Sequence, residues 1–294
     1  MNYIYFNYGK IPEYLNYSIN SVLSIEKDAR IILCSDVKLK TQGVESLNID
    51  SMDDLIAKKD KILKIFSKLN YDQNPLWFTS ILRVYALNYV SKQLNLDNFT
   101  HFDNDVLIYK SIEKIKKENF FNDNSINITK SDNDHLVFGF SYFPNIQLIE
   151  NLCDLFDEIL ENYSYFSSNY ARGKNLTEMR MLKIAESISP ELFNILDSLP
   201  YKNNKYIFDP SSYGQYLNGT HLKRGNYYFK RRFVSTNHIV GREIKSKRIK
   251  PHYKNKTPFV YFDNKNYDLV NLHIHSKNLH KFLSKDFKKI INLK

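Results

Sequence analysis

The order of predicted elements in the first 110 residues restricts this chain more than any other feature. Tyr3–Tyr8 reads as a strand. Gly9 breaks it, and Pro12, a favoured first helical residue, opens a helix with Leu15, Ile19, Val22 and Leu23 on its inner face. Ile31–Cys34 is a short buried strand, and Ser51 opens a second helix with Asp54 in its first turn, where the helix dipole favours a carboxylate. A third helix spans about 75–94, with Trp77, Ile81, Val84 and Tyr85 turned inward, and the run FTHFDNDVLIY (99–109) follows as a strand. A β-α-β-α-α-β order calls for crossover connections. It predicts an α/β fold with a mostly parallel central sheet flanked by helices.

The remainder mixes types. INITKSDNDHLVFGFSYF reads as two strands around a polar turn, helices are expected near 145–162 and 176–188, and PFVYFDNKNYDLV as a hairpin turning through Asp263–Asn266. With no internal repeat and no Gly/Ser linker, residues 1–294 are expected to form one domain, regular over about 1–110 and more irregular over about 111–294. No run approaches the roughly 18 apolar residues of a membrane span, and the N-terminus lacks the pattern of a secretory signal. Cys34 and Cys153 sit in apolar runs and make no disulfide framework, so a reducing, cytoplasmic setting is expected.

The formal net charge is +10, and much of the excess lies late, in KRRF (230–233) and GREIKSKRIKPHYKNK (241–256). A basic face suits nucleic acid, anionic lipid or phosphorylated substrates. Abundant Asn, Lys, Ile and Tyr give surface lysines a purely compositional origin as well.

Inside the aromatic run at 99–109 stand two carboxylates, Asp103 and Asp105. Such groups are costly to desolvate without a partner. At the mouth of a parallel strand, where open α/β sheets gather ligands, a spacing of two places both on one side of an extended backbone. A hard divalent cation, Mg²⁺ or Mn²⁺, is the natural partner and keeps positions for substrate phosphates. A second D-x-D, Asp132-Asn133-Asp134, lies among polar residues between two strands and reads as a solvated turn. In NLHIHSKNL (271–279), strand alternation places His273, His275 and Lys277 on one face, which suits a metal and phosphates; an edge strand with one wet face is the plainer reading.

The helix TSILRVYAL, the segment FTHFDNDV and the late NLHIHSK together resemble nucleotide-sugar glycosyltransferases of the GT-A (Rossmann-like) fold, of the bacterial or viral capsular or surface-polysaccharide type. The resemblance implies a D-x-D that binds a divalent metal on the donor diphosphate. Asp103, Asp105 and His275 would be the ligands, with His273 as the alternative and Lys277 on the diphosphate. It implies that Asn7, Tyr8 and Gly9 hold the nucleobase and ribose, that Arg83 and Asn104 face the nucleotide-sugar, and that the first 110 residues form the nucleotide-binding half. A missing glycine between His and Lys leaves the choice between His273 and His275 open. The expected donor is a UDP-sugar and the acceptor a glycan, lipid-linked or protein hydroxyl, with peripheral contact to anionic membrane and no nucleic acid.

Two carboxylates are candidates for accepting the acceptor's proton, Glu178 and Asp209. Asn175-x-x-Glu178 also fits a capping box, and Asp209 before Pro210 fits the cap of a short helix, SSYGQYL. Gly139, within a strand, marks close backbone approach, read here as approach to the donor sugar. Two other classes compete. A nucleic-acid-binding module would use basic segments such as NYYFKRRF, where aromatics interleave with cations. A metal-dependent phosphoryl or nucleotidyl transferase would also use paired Asp, with further carboxylates.

Overall fold

The structure, a computed structural model, describes residues 1–37, 39–68, 75–202, 204–219 and 234–293. The basic segments KRRF and NYYFKRRF lie outside the described residues. From the N-terminus come β1 (Asn2–Asn7), α1 (Glu13–Ile25), β2 (Arg30–Ser35), β3 (Glu45–Asn48), α2 (Asp53–Lys68), α3 (Pro75–Gln93) and β4 (Phe99–His101). There follow β5 (Val106–Ile108), α4 (Ile112–Lys117), β6 (Ile126–Asp132), β7 (His135–Phe143), α5 (Ile146–Glu161), α6 (Tyr163–Tyr170), α7 (Glu178–Ile188) and β8 (Phe193–Ile195). The last part holds α8 (Ser212–Asn218), α9 (Ile239–Lys245), β9 (Lys250–Lys254), β10 (Thr257–Phe262), β11 (Lys265–Asp268) and β12 (Asn271–His273).

Among the described residues the central sheet has the order β3-β2-β1-β4-β7-β6-β8. All neighbours pair in parallel except across β7, which is antiparallel to both β4 and β6. The expected mostly parallel sheet is therefore present. Its two faces follow from strand alternation. Ile4, Phe6, Ile32 and Cys34 join one core with Ile81 and Val84 of α3, Phe156 of α5 and Leu182 of α7. Tyr3, Tyr5, Ile31 and Leu33 join a second core with Leu15, Ile19 and Val22 of α1 and Ile112 of α4. Successive strand residues point to opposite faces, so helices cover both sides of the sheet.

A third core binds the last part of the chain: Leu107 of β5, Tyr213 of α8, Val240 of α9, Val260 of β10 and Leu272 of β12. β5 and β12 pair antiparallel, Val106 opposite His273, which brings the tail back to the sheet centre. The β10–β11 hairpin turns at Asp263 and Asn264, both with positive φ (47° and 58°), as a tight two-residue hairpin requires. α6, the short α4 and α9, and strands β3 and β8 have no counterpart in the pattern reading, being too short to show a period. No helix among the described residues is long and apolar enough to cross a membrane.

A candidate metal and diphosphate cleft

β4 ends at His101, and β1, its parallel neighbour, ends at Asn7. Beyond those ends opens a cleft of about 600 Å³, bordered by Asn7, Tyr8, Arg83, Asp103, Asn104, Asp105, Glu178, His273, His275 and Lys277 among others. This is where a parallel sheet gathers ligands. The two carboxylates do not lie on an extended strand as the spacing predicted. The Val106 amide donates to the Asp103 carbonyl at 3.1 Å, so residues 103–106 form a turn, and that turn makes the carboxylates converge. Asp103 is fixed from the other side by its own amide, which donates to the Phe138 carbonyl at 2.9 Å. The Asn104 side chain spans the strand ends, its Nδ2 donating to the Phe6 carbonyl at 2.9 Å.

His273 Nε2 lies 3.1 Å from Asp105 Oδ1 and 3.5 Å from Asp103 Oδ2. One donor atom from each of Asp103, Asp105 and His273 lies within 4.8 Å of the others. His275, the expected ligand, is not in this group. Its Nδ1 is 3.2 Å from the Gln215 side chain and its ring sits edge-on to His273, centroids 4.5 Å apart. The register assumption was the error: β12 stops at His273, the Ile274 amide donates to the Asp105 carbonyl at 2.9 Å, and the chain turns through Lys277 with φ 61°. Alternation no longer holds past the strand's end.

Charge is balanced across the turn. Arg83 of α3 pairs with Asp103 and, through Nη2 at 2.9 Å, with Glu178 of α7. Lys277 pairs with Asp105 and stands over the Tyr14 ring, 5.3 Å from its centroid. Burial pushes the Asp105 carboxyl up, but His273 and Lys277 outweigh it and hold it well below the usual range. Asp103 is likewise lowered, burial being outweighed by Arg83 and His273. Burial pulls His273 down, and Asp105 and Asp103 lift it above its ordinary value. Burial, then His273, pushes His275 down to about 3, against the weaker upward pull of Asp105 and Asp103.

Glu178 is 3% exposed. Its predicted capping box is absent: Thr177 is the N-cap of α7, accepting from the Arg180 amide at 3.4 Å, and the Glu178 carboxylate goes to Arg83. Burial lifts this carboxyl to about 7, with Asp103 adding to the rise and Arg83 opposing it. One guanidinium serves two carboxylates, so Glu178 keeps only a share. A carboxyl lifted this way contributes stability that is complete below its unfolded value and is lost as pH rises through about 7. A rise from 4.5 to about 7 amounts to about 3 kcal/mol at 1.36 kcal/mol per pK unit. Urea unfolding of the metal-free protein should show that loss between about pH 4.5 and pH 7. Glu178→Gln, neutral throughout, should flatten the slope; an unchanged slope would place the titration elsewhere.

Asp209 is fully buried and does not border the cleft. Its Oδ1 accepts from the amides of Ser211 and Tyr213, each at 2.9 Å, and its Oδ2 from Gly214 at 2.8 Å and His273 at 3.0 Å. Four backbone donors make it a clamp between the start of α8 and β12, which corrects its reading as a proton acceptor. The clamp also holds Ser211 at φ 118°, a conformation that persists only when its surroundings impose it. Gly139 is corrected too. A Cβ there would lie 3.0 Å from the Asp209 carbonyl and 3.3 Å from His273 Nδ1, so the close approach is to the Asp209 and His273 segments. Gly214 packs against the His273 backbone, where a Cβ would fall 1.9 Å from its carbonyl oxygen. Gly9 donates to Asp36 at 2.7 Å behind the cleft edge formed by Asn7 and Tyr8.

Pattern reading missed Asn271. It is fully buried, donating to the Gly139 and Asp209 carbonyls at 3.0 Å and accepting from the Asp209 amide at 2.9 Å. The second D-x-D is a turn at its exposed Asn133 and Asp134, but Asp132 and His135 border the cleft, His135 Nδ1 lying 2.8 Å from Asp132 Oδ1.

No protein-family model and no curated protein matches the chain. Among solved structures it is similar to mouse xyloside xylosyltransferase 1, at 12% identity over 67% of this chain and 86% of that one, with a TM-score of 0.44. It is similar to the glycosyltransferase GlyE of Streptococcus pneumoniae, at 8% identity over 73% of this chain and 47% of that one, with a TM-score of 0.41; the match spans about half the length of GlyE. A galactosyltransferase, LgtC, solved with donor and acceptor sugar analogs, is similar at 12% identity over 67% and 74% of the two chains, with a TM-score of 0.41.

Proposed function

We propose that this cleft transfers a sugar from a nucleoside-diphosphate sugar, in the first place a UDP-sugar, to a hydroxyl acceptor, and that the chain is a glycosyltransferase of GT-A type. The observation that carries this reading is the convergence of Asp103, Asp105 and His273 beyond the carboxyl ends of β1 and β4, with Arg83 and Lys277 on either side. The donor set fits a divalent cation. Two carboxylate oxygens and one imidazole nitrogen suit Mn²⁺ or Mg²⁺, and the two carboxylates meet although each is paired with a cation of its own. When bound, such a cation would act as a Lewis acid on the departing diphosphate.

The chain's own residues would do the rest. Lys277 reaches Asp105 on a flexible stem and would turn to a diphosphate oxygen as a point charge. Arg83, held between Asp103 and Glu178, would fix Asp103's orientation, so Glu178 serves through Arg83. Asp209 and Asn271 would hold the His273 backbone in place, which keeps the imidazole aimed at the two carboxylates. Asn7 and Tyr8 would face the nucleoside; Tyr8 packs edge-on against Phe78 at 5.5 Å. A phosphoryl or nucleotidyl transferase is less well supported, because the further carboxylates that border the cleft, Glu178 and Asp132, are committed to Arg83 and His135. Peripheral contact of the basic 241–256 segment with anionic lipid belongs to the same proposal.

The test is a thermal shift with UDP, with and without Mn²⁺. Ligand at about 100 times its Kd stabilises by about 2.7 kcal/mol, or about 5 °C in a chain of this size. The shift should need both components. His273→Ala should abolish the metal-dependent part, whereas His275→Ala should keep most of it. The reverse ranking would return the ligand role to His275, and no shift in the wild type would remove the reading.

A further inference from the structure

The cleft adjoins a second groove of about 570 Å³. Trp77, His135, Thr177 and Met179 border both, so the two are joined along that edge. The far wall of the groove carries Lys174 and Arg180, and no carboxylate borders it among the described residues. The same two cations also border an adjoining hollow with Arg172, where Asp134 stands opposite. Lys174 is exposed and Arg180 half-buried, with its Nη1 donating to the Asn175 carbonyl at 2.8 Å.

Phe138 of β7 accepts the Asp103 amide, and His135, at the junction of the two grooves, is three residues earlier on the same strand. At this point His135 Nδ1 lies 2.8 Å from Asp132 Oδ1, which leaves Nε2 for a hydroxyl. Trp77 borders the groove beside it.

We propose that this second groove receives the acceptor and selects a saccharide bearing carboxylate or phosphate groups, held by Lys174 and Arg180 while Trp77 stacks on a sugar face. The proposal rests on the glycosyl-transfer reading and adds the acceptor's chemical class to it. Two cations and an imidazole, with no carboxylate bordering this groove among the described residues, favour an anion by Coulomb attraction.

Trp77 is the chain's only tryptophan, so its emission reports the groove directly. Full-length protein would be titrated with hyaluronan tetrasaccharide for carboxylate and with glucose 6-phosphate for phosphate. Cellotetraose and glucose are the neutral counterparts. Saturable change of Trp77 emission is expected with at least one anionic probe, at an affinity about tenfold or more above its neutral counterpart, and the probe that binds names the anion. Lys174→Glu and Arg180→Glu should each weaken it about tenfold; Lys174, being exposed, guards against a folding defect at Arg180. Equal binding of neutral probes, no binding of any probe, or indifference to both charge reversals would overturn the proposal. Calorimetry of UDP with Mn²⁺ on the wild type separates the two readings. Absent UDP binding removes glycosyl transfer, whereas UDP binding without anion selectivity removes only the acceptor class.

Discussion

Asp105→Ala should reduce metal-dependent turnover of a UDP-sugar by about a thousandfold while the protein still folds. Lewis-acid stabilisation of a leaving diphosphate is worth several kcal/mol, and about 4 kcal/mol corresponds to three factors of ten in rate. Asp105 is 3% exposed and touches both His273 and Lys277, so its loss removes one candidate ligand and releases the proton-holding field on a second. The fold should survive because, among the described residues, the side chain makes no hydrogen bond to backbone. It is the Asp105 carbonyl, retained in the variant, that accepts the Ile274 amide at 2.9 Å. Two repelling carboxylates become one, which offsets part of the lost ion pair. Turnover would be followed as Mn²⁺-dependent UDP release, and folding by circular dichroism and the unfolding midpoint. A folded, fully active variant would end the assignment of Asp105.

The second large effect is on stability. Asp209→Ala should destabilise the protein by about 4 kcal/mol and lower its Tm by about 10 °C. Four amides, of Ser211, Tyr213, Gly214 and His273, lose their acceptor at a residue with no solvent exposure. Each orphaned buried donor costs about 1–3 kcal/mol, offset in part because a buried carboxylate no longer needs desolvating. Burial already pushes this carboxyl above its ordinary value, and the amides of His273, Tyr213 and Gly214 pull against that. Asp209→Asn should lose roughly half as much, since an amide oxygen can still serve Ser211 and Tyr213 while its NH₂ faces the other two donors. Differential scanning calorimetry decides the matter. A fully stable but inactive Asp209→Asn would restore Asp209 as the proton acceptor.

Much of the scaffold was legible because strands and helices write their periods locally. Apolar alternation in β1 and β2 assigns residues to two faces, and the 3.6-residue rhythm of α1 assigns its buried stripe. The Asp pair was legible for a different reason: two carboxylates in an aromatic run are an energetic anomaly wherever they occur. The same reasoning failed at His275. It carried a strand period four residues beyond His273, and the chain leaves β12 there to meet the Asp105 carbonyl. It also misjudged Asp209 and Gly139, whose roles depend on segments more than sixty residues away in sequence.

By itself the sequence determined the parallel-sheet scaffold, the place of Asp103 and Asp105 at its carboxyl edge, and the presence of imidazole and ammonium groups near the end of the chain. Only the tertiary structure decided that His273 is the imidazole that meets them, that Glu178 spends its charge on Arg83, and that Asp209 is a clamp. Periodicity is a property of neighbours along the chain. Which side chains converge depends on β12 pairing with β5 across more than 150 residues and on four amides finding one buried carboxylate, and no local pattern encodes either.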